Sequence, residues 1–168
     1  MSKHFKPEPS TQVAAAAAFM PSETSKVLAI TRQGVVCVKN HNRGRGRDGV
    51  SQPVYYALPG GRVELGESPE DAAQRELYEE VFNRNVVCDS LRLLRTFEET
   101  GDHIFYLYGC VIVDMPERGL KRVGDEGEEV CVIPFRELYG MQFLPSHKEK
   151  LYMVRSAVQQ LVSESGLA

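Results

Sequence analysis

Glu76, Glu79 and Glu80 stand at i, i+3 and i+4 in a stretch that reads as a helix. Side chains at that spacing share one helix face. Three carboxylates on a rigid face offer hard oxygen donors of the kind that hold Mg²⁺, with Mn²⁺ as a substitute, beside waters and substrate phosphates. The arrangement works against local stability. Like charges at this spacing repel by roughly 0.2–0.5 kcal/mol per pair, and anions in a last helical turn oppose the dipole by about 0.3–1 kcal/mol each. Arg75 offsets part of this, with Asp71 four residues before it and Glu79 four after. The ordinary reading of such a cluster is a solvated acidic face. The glycine pair in Leu58-Pro59-Gly60-Gly61, just upstream, weighs against it.

The helix that would carry these acids has a well-marked start. Ser68 suits the N-cap, Pro69 the first helical position, and Asp71 the acid of a capping box. Ala72, Ala73, Leu77 and Val81 supply the stripe to be buried.

Loop and helix together, LPGGRVELGESPEDAAQRELYEEVFN, resemble the Nudix box, Gly-x5-Glu-x7-Arg-Glu-U-x-Glu-Glu-x-Gly-U, where U is a bulky apolar residue. Gly61, Glu67, Arg75, Glu76, Leu77, Glu79 and Glu80 fall on the pattern. The general layout extends over residues 26–160, but only the box is specific. Two positions depart, Phe82 in place of the closing glycine and Asn83 in place of the apolar residue. That glycine ends the helix in a left-handed conformation, which Phe adopts badly. The expectation is a helix running a residue or so longer, with Asn83 or Asn85 taking the left-handed turn.

The resemblance implies an α/β/α sandwich with a mixed sheet. It also implies Mg²⁺-dependent cleavage of the pyrophosphate bond of a nucleoside diphosphate linked to another group, by water attack on phosphorus. By position, Glu76, Glu79 and Glu80 become metal ligands, joined by the Gly60 carbonyl. Arg75 orients the carboxylates and Glu67 braces the loop. The catalytic base is a box glutamate (Glu79 or Glu80) or a distal acid, with Glu126 favoured in Gly124-Asp125-Glu126-Gly127-Glu128-Glu129. Glu98, Glu99 and Asp102 form a second acidic turn. No proline or tyrosine marks a substrate subfamily, since Glu99 and Thr100 occupy that region. Two readings stand beside this one. The first is a catalytically weak nucleotide-sensing or interaction module, motivated by Phe82 and Asn83. The second is hydrolysis at RNA 5′ ends, motivated by Arg43-Gly44-Arg45-Gly46-Arg47.

The rest of the chain is read for what holds the box. At 168 residues, with 42% hydrophobic and 26% charged residues, it suits one soluble domain. A net charge of −3 argues against a broad nucleic-acid face. Cys37, Cys88, Cys110 and Cys131 lack a C-x-x-C spacing and read as reduced core residues, which suits a cytoplasmic location. No apolar run is long enough to span a membrane. Residues 1–24 read as a tail or short helix, packed on the domain or on a second subunit of a homodimer, and 25–168 as the domain.

Strands are expected at Val27–Ile30, Val35–Val38, Val54–Leu58, Val86–Cys88, Leu91–Phe97, His103–Asp114 and Val130–Ile133. A final helix capped by Ser146 would bury Leu151, Val154, Val158 and Leu161. Residues 40–52 form a loop whose Arg43 and Arg45 suit substrate phosphates. Base recognition would come from residues such as Arg32, or from aromatics such as Tyr55, Tyr56 and Phe105.

Overall fold

From Val27 to Ile30 every residue is apolar, so both faces of that strand need cover. Val27 and Ala29 enter one buried cluster, and Leu28 and Ile30 enter another on the opposite face. The computed structural model describes residues 22–40, 55–88, 90–125 and 128–167. The Ala-rich segment, the loop with Arg43 and Arg45, and Glu126 lie outside them.

The sheet has seven strands: β1 Ser22–Thr31, β2 Gly34–Asn40, β3 Tyr55–Ala57, β4 Gly60–Arg62, β5 Arg92–Glu99, β6 His103–Ile112 and β7 Glu129–Ile133. They run in the order β3-β2-β1-β6-β5, with β4 also on β1 and β7 also on β2. β1 and β6 are parallel, paired from Ser22–His103 to Thr31–Ile112, and the other pairings are antiparallel. The sheet is therefore mixed, as expected.

One face is covered by helix α1, Pro69–Glu76, and the turn Leu77–Val81 after it. There Ala73, Leu77, Val81 and Phe82 meet Val27, Ala29 and Val36. The other face is covered by α2 Phe135–Leu138, α3 Pro145–Met153 and α4 Arg155–Glu164. This is a sandwich of helix, sheet and helices.

Several boundaries differ from the sequence reading. β1 begins at Ser22, so residues 22–24 pair in the sheet and are not tail. Val86–Cys88 is no strand. The Tyr78 hydroxyl donates to the Val86 carbonyl (3.0 Å) and accepts from the Cys88 N–H (3.3 Å), so one side chain meets backbone groups that a strand partner would have met. β5 runs on through Glu98 and Glu99, which were assigned to a turn. The final helix is broken at Val154, yet Leu151, Val154, Val158 and Leu161 are all buried. Leu144, not Ser146, sits at its N-cap, with Pro145 at the first position.

The end of the acid helix is the most consequential difference. It does not continue, and neither Asn83 nor Asn85 turns left-handed. The last turn widens to the π type over Leu77–Val81, with the Phe82 N–H on the Leu77 carbonyl at 2.7 Å. Phe82 is extended (φ −98°, ψ 140°) and wholly buried. A core aromatic needs its backbone turned toward the core, and the wider turn supplies that. Truncating such a side chain to Ala costs about 3–5 kcal/mol.

Candidate active site

The loop before the helix sets the site's floor. Gly60 has φ +129°, and a Cβ there would lie 2.2 Å from the Ser25 carbonyl oxygen. Only glycine lets β4 close on β1 at that point. A Cβ on Gly61 would lie 2.1 Å from Glu76 Oε1, so the second glycine makes room for a carboxylate. The Gly60 N–H donates to Glu80 Oε2 at 2.6 Å. Both glycines thus seat glutamates of the box.

Arg75 gathers the rest. Its Nε donates to Glu67 Oε1 (2.9 Å) and Nη1 to Glu76 Oε1 and Glu79 Oε2 (2.9 Å each). Its Nη2 donates to Glu67 Oε2 and the Arg62 carbonyl (3.1 Å each). The guanidinium fork is used on every side. The Arg75 hydrogen bonds hold the Glu67 carboxyl below its ordinary range, helped by the Glu64 N–H (3.0 Å). Glu67 thus ties the loop to the helix, and Arg75 contacts the carboxylates of both Glu76 and Glu79.

Glu76, Glu79, Glu80 and Asp125 line a cavity of about 260 Å³. Glu80 lies deepest. Burial pushes its carboxyl up to about 7, against the attraction of Lys26 and the Gly60 hydrogen bond. Glu76 and Glu128 add repulsion. Glu128 Oε2 is buried with no hydrogen-bond partner among the described residues. A Cβ on Gly124 would lie 3.3 Å from that oxygen and 2.7 Å from the Glu80 carbonyl oxygen, so Glu128 reaches the same turn.

Among the described residues no three acidic, His or Cys side chains already stand as a closed ligand cage. Glu76 and Glu79 lean on Arg75, and Glu80 on Gly60. The donor set still fits a hard divalent cation. It consists of carboxylate oxygens around an open space, one drawn from water and one orphaned.

Arg32 is not part of this cavity. It follows Lys26 by six residues along β1, roughly 20 Å at strand rise. It donates to the Val113 carbonyl (3.1 Å) and lines a separate cavity of about 700 Å³ at the β1–β2 turn. Glu99 is taken by Lys150 of α3 and does not reach the acids. Lys26 and Lys121 were missed as site residues. The available signal was a lysine standing at the head of the apolar run Val27–Ile30.

The family model described as NUDIX domain matches residues 11–156. The chain belongs to the Nudix family and is a hydrolase of the class that acts on pyrophosphate bonds. A search of curated protein sequences finds no match. Among solved structures, a mutT/nudix family protein from Listeria innocua is similar with TM-score 0.63 and 21% identity, over 88% of this chain and 98% of that one. The NUDIX domain of Shewanella oneidensis NrtR, complexed with ADP ribose, gives TM-score 0.63 and 18% identity over 91% and 99%. A bifunctional NMN adenylyltransferase/ADP ribose pyrophosphatase from Francisella tularensis, complexed with AMP and Mn ion, gives 0.62 and 18% over 87% and 44%. At these identities the structures speak for the fold alone.

Proposed function

We propose that this protein is a Mg²⁺-dependent nucleotide pyrophosphatase, with Mn²⁺ as substitute, cleaving a nucleoside diphosphate linked to another group. The observation that carries the reading is Glu80. It is a half-buried carboxylate pinned on the Gly60 N–H in a cavity that Glu76, Glu79 and Asp125 share. A divalent cation bound there supplies charge neutralisation of the diphosphate and a more acidic water. Glu76, Glu79 and Glu80 hold it, with the Gly60 carbonyl as a further oxygen. Arg75 keeps Glu76 and Glu79 at the rim. The general base comes from the segment after Asp125, with Glu126 the favoured residue and Glu128 reaching the turn of Glu80. Arg43 and Arg45 meet substrate phosphates. Positioning and charge stabilisation do most of the work.

ADP-ribose and related dinucleotide diphosphates head the substrate panel, because the Shewanella and Francisella relatives carry ADP ribose or its pyrophosphatase in their descriptions. RNA with a 5′ triphosphate belongs on the same panel, for Arg43, Arg45 and Arg47. Product release is measured with Mg²⁺ and with chelator, for the wild type and Glu80→Gln. Metal-dependent turnover lost in the variant is expected, and turnover that survives both treatments overturns the ligand assignment. Four free thiols, three of them buried, suit a cytoplasmic setting.

A further inference from the structure

An α-helix closed by glycine meets its last carbonyls within its own turn. This one cannot, because Phe82 is drawn into the core and the turn is widened. Its orphan groups go elsewhere. The Glu79 carbonyl accepts from the Asp125 N–H (3.2 Å) and from Lys121 Nζ (2.8 Å). The Val81 carbonyl accepts from the Lys121 N–H (2.8 Å). The Asn83 N–H donates to the Gly119 carbonyl (2.8 Å), and its Nδ2 donates to the Arg118 (2.5 Å) and Leu120 (3.2 Å) carbonyls. Phe82 and Leu120 form an antiparallel bridge. Arg118 adopts φ +59°, a left-handed conformation uncommon for arginine.

The segment held this way carries the far wall of the acid cavity. Lys121 Nζ also donates to Asp125 Oδ1 at 2.8 Å, so one ammonium ties the helix end to an acid that lines the cavity. Beyond it the Gly124 N–H donates to the Glu128 carbonyl (2.8 Å) and the Val130 N–H to the Arg122 carbonyl (3.1 Å). The place of Gly124 therefore sets the place of Glu128. The two positions that depart from the box pattern begin this chain of contacts.

We propose that Asn83 and Lys121 are positioning residues that strap segment 118–125 to the widened end of the acid helix and thereby place Asp125 and Glu128 against Glu79 and Glu80. The inference rests on the reading of the cavity as a cation site. It differs from a plain charge effect in sign. Lys121→Met removes a cation beside the acids and Asn83→Asp adds an anion near them, so charge alone tightens cation binding in both. Loss of position weakens it.

The test is Mn²⁺ binding by calorimetry on the whole chain, with turnover and amide hydrogen exchange alongside. Lys121→Met and Asn83→Asp are expected to weaken Mn²⁺ binding about tenfold and to raise the metal concentration for half-maximal turnover equally, with KM for the nucleotide little changed. Lys121→Arg, which keeps charge and donors, is expected to recover the binding. Protection of the Lys121 and Asp125 amides should fall in Asn83→Asp. Tighter or unchanged Mn²⁺ binding in both variants overturns the strap, even if melting temperatures drop. A wild-type chain that binds no Mn²⁺ sinks the proposed function instead. The strap is then judged by exchange, and unchanged protection in Asn83→Asp overturns it.

Discussion

Glu99 and Glu80 are half-buried carboxylates on opposite faces of the sheet, and the chain treats them differently. Glu99 meets Lys150, a lysine only 5% exposed, whose ammonium also reaches the Ser146 carbonyl (3.3 Å) and lies 4.5 Å from the Phe105 ring centre. Its other oxygen faces His103 Nε2 at 3.5 Å, and His103 Nδ1 meets Ser22 Oγ at 2.6 Å. That cluster balances its charge from within. Around Glu80 the chain brings up more carboxylates, and the pull of Lys26 does not overcome burial. Folding completes the first site; at the second, burial outweighs Lys26 and holds the Glu80 carboxyl up. Such a contrast marks where function departs from stability.

The comparison breaks most sharply at Glu80. Glu80→Gln is expected to lower kcat/KM by about 10²-fold or more, since it removes a proposed cation ligand, while leaving metal-free stability at pH 8 equal or higher. Steady-state kinetics and urea unfolding in chelator check both halves. The pH dependence follows. The unfolded Glu80 carboxyl releases its proton near 4.5 and the folded one near 7, so between those values the native state binds more protons. Stability of the metal-free wild type should fall as pH rises through that window, by ~3 kcal/mol at most. The slope should flatten in Glu80→Gln, and divalent cation should restore stability at pH 8. On the other side of the sheet, Lys150→Met strands a partly buried carboxylate. It should cost about 1–3 kcal/mol in urea unfolding without changing turnover per folded molecule. Smallest of all, Arg32→Ala should shift kcat/KM by less than about twofold and stability by less than about 0.5 kcal/mol.

Size does not mark the site. The cavity beside Arg32, at about 700 Å³, exceeds the acid-lined one at about 260 Å³. Only the smaller is lined by acidic side chains alone.

Much of this was legible along the chain. Ser68 caps α1 as its position suggests, its hydroxyl accepting from the Asp71 N–H at 3.1 Å. Ala72, Ala73, Leu77 and Val81 face the core, as do Leu151, Val154, Val158 and Leu161 near the end of the chain. The spacing of Glu76, Glu79 and Glu80 puts them around one cavity with Arg75 between them. Each of these rests on local periodicity or on side chains a turn apart, which the chain encodes within a few residues.

What was misread depends on distant partners. The helix end follows from the burial of Phe82 and from Lys121, Asn83 and the carbonyls of residues 118–120. The place of Val86–Cys88 follows from Tyr78, and the fate of Glu99 from Lys150, 51 residues away. The sequence by itself determined which side chains share a helix face and which strands need cover on both sides, because backbone period decides those. Only the tertiary structure decided which acids are neutralised and which are left facing one another. Desolvation and charge pairing belong to the packed whole, and no stretch of chain carries them alone.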